Sequence, residues 1–128
     1  MSKGLADTSV FIARETPRPL NADAFPAEIG VSVITIGELR AGVLAAEDIE
    51  TRDRRLATLM QALALEPLPI DRPVAESWAK LRLLLRDAGQ RMPVNDSWIA
   101  ATAMALGVPV VTQDEDYVEV PGLKIITV

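Results

Sequence analysis

Histidine and cysteine are both absent from the 128 residues, and aromatic side chains make up only 4% of them. Without imidazole or thiol there is no Ser-His-Asp triad, no thiol nucleophile, no imidazole acid–base pair and no zinc site of the common kind. Chemistry is left to carboxylates, hydroxyls, Lys, Arg, the single tyrosine Tyr117 or a recruited cofactor. Basic residues are in the minority, with 13 Lys and Arg against 18 Asp and Glu for a net charge of -5. That balance argues against a broad basic surface that coats nucleic acid. Long apolar runs are missing too. The most apolar stretch, Trp98 to Val111, is broken by Thr102, Gly107 and Pro109 and falls short of the roughly 20 residues that span a bilayer. The start of the chain reaches Asp7 without an apolar run, so no secretory signal is expected. Missing cysteines fit a reducing compartment, and the expectation is a cytoplasmic protein without membrane contact.

What is present suffices for one core. A chain of this length buries about two thirds of its unfolded surface without metal or disulfide staples, and a single domain over residues 1–128 is expected. No repeat, low-complexity tract or Gly/Ser linker divides it. The segment Arg14 to Pro26, with Pro17, Pro19 and Pro26, predicts a loop holding at most one helical turn. It separates two short apolar runs that read as strands ending in polar residues. The first is Gly4 to Ala6 before Asp7-Thr8-Ser9, with Val10, Phe11 and Ile12 beyond; the second is Ile29 to Ile34. From Thr35 the period becomes helical, with Ile36, Leu39 and Val43 on one stripe. A second helix over Ile49 to Leu65 carries Leu56, Leu59, Met60 and Leu63 as its apolar stripe, and Pro67 and Pro69 end it. A short strand near Leu68 to Ile70 follows. Pro73 then opens a helix with Val74, Trp78, Leu81 and Leu85 inward and Gly89 as its stop. Asn95 or Asp96 is expected to cap a further helix with Ile99, Ala103 and Leu106 inward, ended by Gly107. Strands are expected over Val108 to Thr112 and Leu123 to Val128. Alternating strands and helices predict an α/β fold, a parallel sheet with helices on both faces.

In such sheets ligands bind at the carboxyl ends of the strands, and several acids are expected there. Asp7 directly follows the first strand, and Asp114 and Asp116 follow Val108 to Thr112. Asp96 sits in the first turn of the helix feeding that strand, and Glu38 lies one turn into the helix after Ile29 to Ile34. Each has an ordinary explanation when taken alone. Asp7 reads as a helix cap, Asp96 as a first-turn acid, Asp114-Glu115-Asp116 as a solvated turn, and Glu38 as a surface residue. Together they fall at one edge. Two carboxylates about 4 Å apart repel by roughly 4 kcal/mol at an effective dielectric of 20, so a cluster of them calls for a divalent cation. Hard oxygen ligands select Mg²⁺ or Mn²⁺, and the expected chemistry is metal-activated water attacking a phosphodiester.

Four blocks carry a resemblance. Asp7-Thr8-Ser9, Glu38-Leu39-Arg40-Ala41-Gly42, Asp96-Ser97-Trp98-Ile99-Ala100-Ala101-Thr102-Ala103 and Val110-Val111-Thr112-Gln113-Asp114-Glu115-Asp116-Tyr117 resemble, in order and spacing, the motifs of PIN-domain ribonucleases of the VapC toxin type. The resemblance covers Asp7 to about Tyr117. It implies an α/β/α sandwich with a parallel five-stranded sheet, Mg²⁺-dependent cleavage of RNA with Mn²⁺ able to substitute, homodimerisation, and inhibition by a VapB-like antitoxin. By position, Asp7 and Asp96 match the acids that hold the metal most directly, and Glu38 matches the acid that binds or orients water. The fourth acid is Asp114 or Asp116, because one residue fewer separates them than in the family pattern; Asp114 is favoured. Thr8, Ser9 and Thr112 either hydrogen-bond the carboxylates or cap backbone groups, and Trp98 reads as packing or a dimer contact.

Basic residues are secondary candidates. Arg52, Arg54 and Arg55 cluster on one helix and Arg82, Arg86 and Arg91 on or after another, either as RNA phosphate contacts or as solvated faces with local ion pairs such as Arg86 beside Asp87. The helix pair bearing Ile36, Leu39, Val43, Leu56, Met60 and Leu63 is expected to be core, with part of it open as a groove for an antitoxin helix. Two other classes compete. One is a PIN-like fold without catalysis that acts as a binding scaffold; the other is a phospho-acceptor receiver, which needs paired acids after its first strand where this chain has only Asp7. A phosphatase with an Asp nucleophile would need a second acid where Ser9 stands.

Overall fold

A computed structural model describes residues 2–16 and 18–128. Pro17, one of the three prolines of the expected loop, lies outside the described residues. Four strands form one parallel sheet, β1 (Lys3–Ala6), β2 (Glu28–Val31), β3 (Val110–Thr112) and β4 (Ile125–Thr127), in the order β2-β1-β3-β4. Five helices cover it: α1 (Thr8–Glu15), α2 (Val33–Ala45), α3 (Ile49–Leu63), α4 (Arg72–Asp87) and α5 (Val94–Leu106). No helix among the described residues is long and apolar enough to cross a membrane.

Side chains alternate across the pleat, and this splits the core in two. Ala6 and Val111 pack on one face with Val10 and Phe11 of α1, Leu39 and Val43 of α2, and Leu59 and Ala62 of α3. Leu5 and Val110 pack on the other with Leu81 and Leu85 of α4 and Ile99, Ala100 and Ala103 of α5. The helices on both faces make the sandwich that the alternation of elements predicts.

The expected fifth strand is not formed. Leu68 makes one isolated parallel bridge to Ser32, donating to the Val31 carbonyl at 2.8 Å and accepting from the Val33 N–H at 3.0 Å. Pro67 and Pro69 flank it and have no N–H to extend a ladder, so the sheet has four strands. Pro109 likewise stands ahead of β3, which begins at Val110. The second strand also ends sooner than its β-branched run suggests. The Ser32 hydroxyl accepts from the Ile34 N–H at 3.0 Å and caps α2, which draws Val33 and Ile34 into the helix. Val10, Phe11 and Ile12 belong to α1 rather than to strand. The Arg14 to Pro26 segment contains one 3₁₀ turn, Ala22–Ala24, as expected.

Three side-chain expectations need correction. In α3 the inward residues are Thr58, Leu59 and Ala62, while Leu56, Met60 and Leu63 are exposed. Contacts with both α1 and α2 rotate the helix so that Leu59 alone of the apolar stripe reaches the core. Leu106 lies at the last residue of α5 and is exposed. Neither Asn95 nor Asp96 caps α5: Pro93 is the N-cap and Val94 the first helical residue, because a proline with fixed φ suits a helix entrance. Asp96 therefore lies in the first turn with its carboxylate free of capping. The remaining helix signals hold. Asp71 caps α4 with Pro73 in its first turn, and Gly89 and Gly107 take positive φ values of 65° and 69° after α4 and α5.

Candidate metal centre

The strand ends and helix starts of this fold meet at the carboxyl edge of the sheet. Asp7 directly follows β1 and caps α1, and its N–H donates to the Val111 carbonyl of β3 at 3.0 Å. The cap and the site position coincide. One Asp7 oxygen, Oδ1, accepts from the Ser9 N–H at 3.1 Å and from the Ser9 hydroxyl; the other accepts from the Thr112 hydroxyl at 2.9 Å. Ser9 and Thr112 in turn hold the loop after β3, because the Gln113 N–H donates to Ser9 Oγ at 2.9 Å and the Asp114 N–H to Thr112 Oγ1 at 2.8 Å. These three side chains thus fix Asp7 and the start of the acidic loop as one unit.

Asp114 and Asp116 follow in that loop, with the Asp116 N–H donating to Asp114 Oδ1 at 3.0 Å. Asp96 comes in from the first turn of α5. Asp96, Asp114 and Asp116 each present a carboxylate oxygen, and the three oxygens lie within 4.8 Å of one another. Asp96 and Asp114 are half-buried and Asp116 is exposed, so both acids of the loop reach the same point. Glu38 stands one turn into α2, where Thr8 Oγ1 donates to its Oε1 at 2.6 Å. Thr35, fully buried and three residues before Glu38, lies 3.0 Å from Thr8 through its own hydroxyl. Since the Thr8 proton goes to Glu38, Thr35 is the donor to Thr8.

The electrostatics express the crowding. Burial raises the Asp96 carboxyl, and the charges of Asp7, Asp114, Glu38 and Asp116 raise it further, to about 7. Of those charges Asp7 contributes most, although its oxygens are not among the three closest. Asp7 is itself raised by burial, a shift that the Ser9 and Thr112 hydrogen bonds oppose and the Asp114 charge reinforces. A carboxylate set that resists ionisation is one that a cation would satisfy. The donors are all hard oxygens, a set that fits Mg²⁺ or Mn²⁺.

Beside the cluster stand Thr35, which the sequence did not single out, and Tyr117, which it singled out only as the lone tyrosine and the end of the acidic block. Thr35 orders Thr8 and through it Glu38; its spacing of three from Glu38 on a helix was the available signal. Tyr117 is buried, and its hydroxyl lies near Asp7 without a hydrogen bond of ordinary geometry. Burial, then the charges of Asp7 and Asp96, push this hydroxyl well above its ordinary value, so it stays protonated.

The candidate arginines lie on α3, on α4 and in the segment after α4. Arg52 and Arg54 are exposed on α3. Arg55 donates to the Gly42 carbonyl at 2.7 Å and, with Ile12, Glu15, Glu38 and Leu39, lines a pocket of 240 Å³ between α1, α2 and α3. Arg86 pairs with Asp87 at 3.3 Å on the surface. Arg82 lies over the ring of Trp78, which stacks on Trp98 with centroids 4.3 Å apart. Trp98 is therefore packing, half-buried against α4.

A parallel α/β sandwich that gathers acids from two helices and two strand ends at its carboxyl edge defines a class of acid-centred fold. The chain belongs to the PIN-domain family, whose profile matches residues 5–123. It is 52% identical to ribonuclease VapC4 of Mycobacterium tuberculosis over 127 residues, 98% of this chain and 97% of that protein. It is 45% identical to ribonuclease VapC5 of the same organism, covering 93% and 88% of the two chains. The crystal structure of a member of the VapBC family of toxin–antitoxin systems, VapBC-5 from Mycobacterium tuberculosis, matches with a TM-score of 0.91 at 41% identity and covers 100% of both chains.

Proposed function

We propose that this protein is a metal-dependent endoribonuclease, the toxin of a toxin–antitoxin pair, neutralised by a VapB-like antitoxin and working as a homodimer. The observation that carries the reading is the convergence of Asp96, Asp114 and Asp116 within 4.8 Å beside an Asp7 whose two oxygens are held in place. Near-full-length similarity to proteins named ribonucleases and to a toxin–antitoxin structure supports the substrate and the partner.

Asp7, Asp96 and Asp114 would hold Mg²⁺ or Mn²⁺, with Asp116 within reach and Glu38 beside them. A divalent cation in this position supplies activation of water and neutralisation of charge on the phosphodiester as it is attacked. The protein residues do the rest. Ser9 and Thr112 fix the two Asp7 oxygens and so hold the orientation of that carboxylate beside the cluster. Thr35 and Thr8 aim Glu38, whose free oxygen would orient a water at the site and take up its proton.

Purified protein is expected to cut RNA with Mg²⁺ or Mn²⁺ and to stop when EDTA removes the metal. Asp7→Asn and Asp96→Asn should each reduce cleavage by at least about 100-fold with the fold intact, a loss on the scale of one displaced catalytic group. Cleavage at the wild-type rate by either variant would refute the site. Growth arrest on expression, relieved by co-expressing the adjacent small antitoxin reading frame, tests the toxin assignment.

A further inference from the structure

On the flank of α5 away from Glu38, the net-acidic chain concentrates basic charge. Arg82, Arg86 and Arg91 line a groove of 420 Å³ whose floor includes Trp78, Val94 and Ser97. Successive helical residues are turned by about 100°, which places Ser97 and Val94 on one side of Asp96 and Asn95 on the other. Asn95 lines a pocket with Glu38 and Gly37, so the arginine groove opens along the opposite flank of the same acid.

The groove is built as well as charged. Trp78 stacks on Trp98 with the two planes 1° from parallel. Its Nε1 donates to Ser97 Oγ at 3.0 Å, and the Ser97 hydroxyl donates to the Val94 carbonyl. With one indole face covered by Trp98, the Arg82 guanidinium takes the other at 4.8 Å from the centroid. A guanidinium centred over an indole is held there by cation–π attraction, and its forked donors suit recognition of phosphate. Among the described residues Arg82 and Arg91 make no ion pair, and Arg86 is shared only with the exposed Asp87. A solvated helix face alone does not call for a tryptophan pair stacked beneath one of its cations.

We propose that this groove binds the phosphodiester backbone of the RNA strand beside the scissile bond, with Arg82 as the fixed contact and Arg86 and Arg91 closing on neighbouring phosphates. The inference rests on the ribonuclease reading and names where its substrate lies.

The test is binding of a fluorescein-labelled single-stranded oligoribonucleotide, followed by anisotropy across a salt series in an Asp96→Asn background that blocks cleavage. Each phosphate contact on a single strand contributes about 0.7 to the slope of log affinity against log salt. The Arg82→Ala/Arg91→Ala pair should lower that slope by about 1.4 and weaken binding at least tenfold at physiological salt. Trp78→Leu should lower affinity in the same direction, and Trp78→Phe, which keeps a ring for Arg82, should restore it. Mn²⁺ binding measured by calorimetry on the arginine pair in an otherwise wild-type chain should be unchanged, which reports an intact fold and acid cluster. An unchanged slope in the pair, or a loss that follows Arg52→Ala/Arg54→Ala instead, overturns the groove while leaving the ribonuclease reading standing. Loss of antitoxin capture with RNA affinity intact also overturns it, because the occupant would then be protein. If the wild-type protein neither cuts nor binds RNA, the functional reading falls and the groove falls with it.

Discussion

A buried hydroxyl without a well-formed hydrogen bond lowers stability, and Tyr117 carries one. Leaving such a group unpaired costs about 1–3 kcal/mol, while the ring itself belongs to the core on the α4 and α5 side. Tyr117→Phe keeps the ring and removes the orphan, so it is expected to raise the urea midpoint of the metal-free protein by an amount equivalent to about 1 kcal/mol. A lower midpoint would mean that the hydroxyl is held by a partner. Asp96 makes a second case at this scale. Its ionisation is opposed by burial and by four neighbouring acids, so Asp96→Asn should raise the melting temperature of the metal-free protein near pH 8 by a few degrees, on the order of 1 kcal/mol. The gain should shrink near pH 5, where the wild-type carboxyl already carries its proton. An equal gain at both pH values would show that charge is not its cause.

Strand β1 is closely packed at Gly4. A Cβ on Gly4 would come within 2.7 Å of the Val111 side chain and 2.8 Å of the Pro26 ring, and the proline ring has little freedom to give way. Gly4→Ala should therefore destabilise by about 1–3 kcal/mol, read as a lower urea midpoint with an unchanged slope; a variant as stable as the wild type would show that the loop at Pro26 yields. The elements also separate what was legible in the sequence from what was not. Asp7, Asp114 and Asp116 were readable as edge residues because each follows a short apolar run, and strand ends are local events. Glu38 and Asp96 needed only a helix start upstream. The inward face of α3 was not readable: the stripe of Leu56, Met60 and Leu63 satisfies helical period, but packing against α1 and α2 selects Thr58 and Ala62, one turn of argument that belongs to tertiary structure. Thr35 was missed for a related reason, since its spacing from Glu38 puts the two on one helix face but its role depends on Thr8, 27 residues away.

For the molecule as a whole, the acid edge ties stability to pH and to metal. Unfolded carboxyls titrate near 4, whereas Asp96 in the fold titrates at about 7 and Asp7 is also raised. Across that window the native metal-free state holds protons that the unfolded state has lost, so stability falls as pH rises and levels off above the folded values. Metal binding needs the ionised carboxylates and runs the other way. Melting temperature in EDTA should decline between about pH 4.5 and pH 7.5, and saturating Mn²⁺ should remove or reverse the decline. A profile in EDTA that is flat over this range would refute the coupling.

The single bridge at Leu68 has a further consequence, for self-association. An open sheet edge recruits foreign strands through its unpaired N–H and C=O groups, and prolines are one way proteins prevent this. Here the segment lying past the end of β2 has a proline on each side of its one paired residue and so offers no row of donors for another strand to extend. Extension of the sheet past Leu68 by strand addition, a route to fibrils and to edge-to-edge dimers, is therefore disfavoured at that segment.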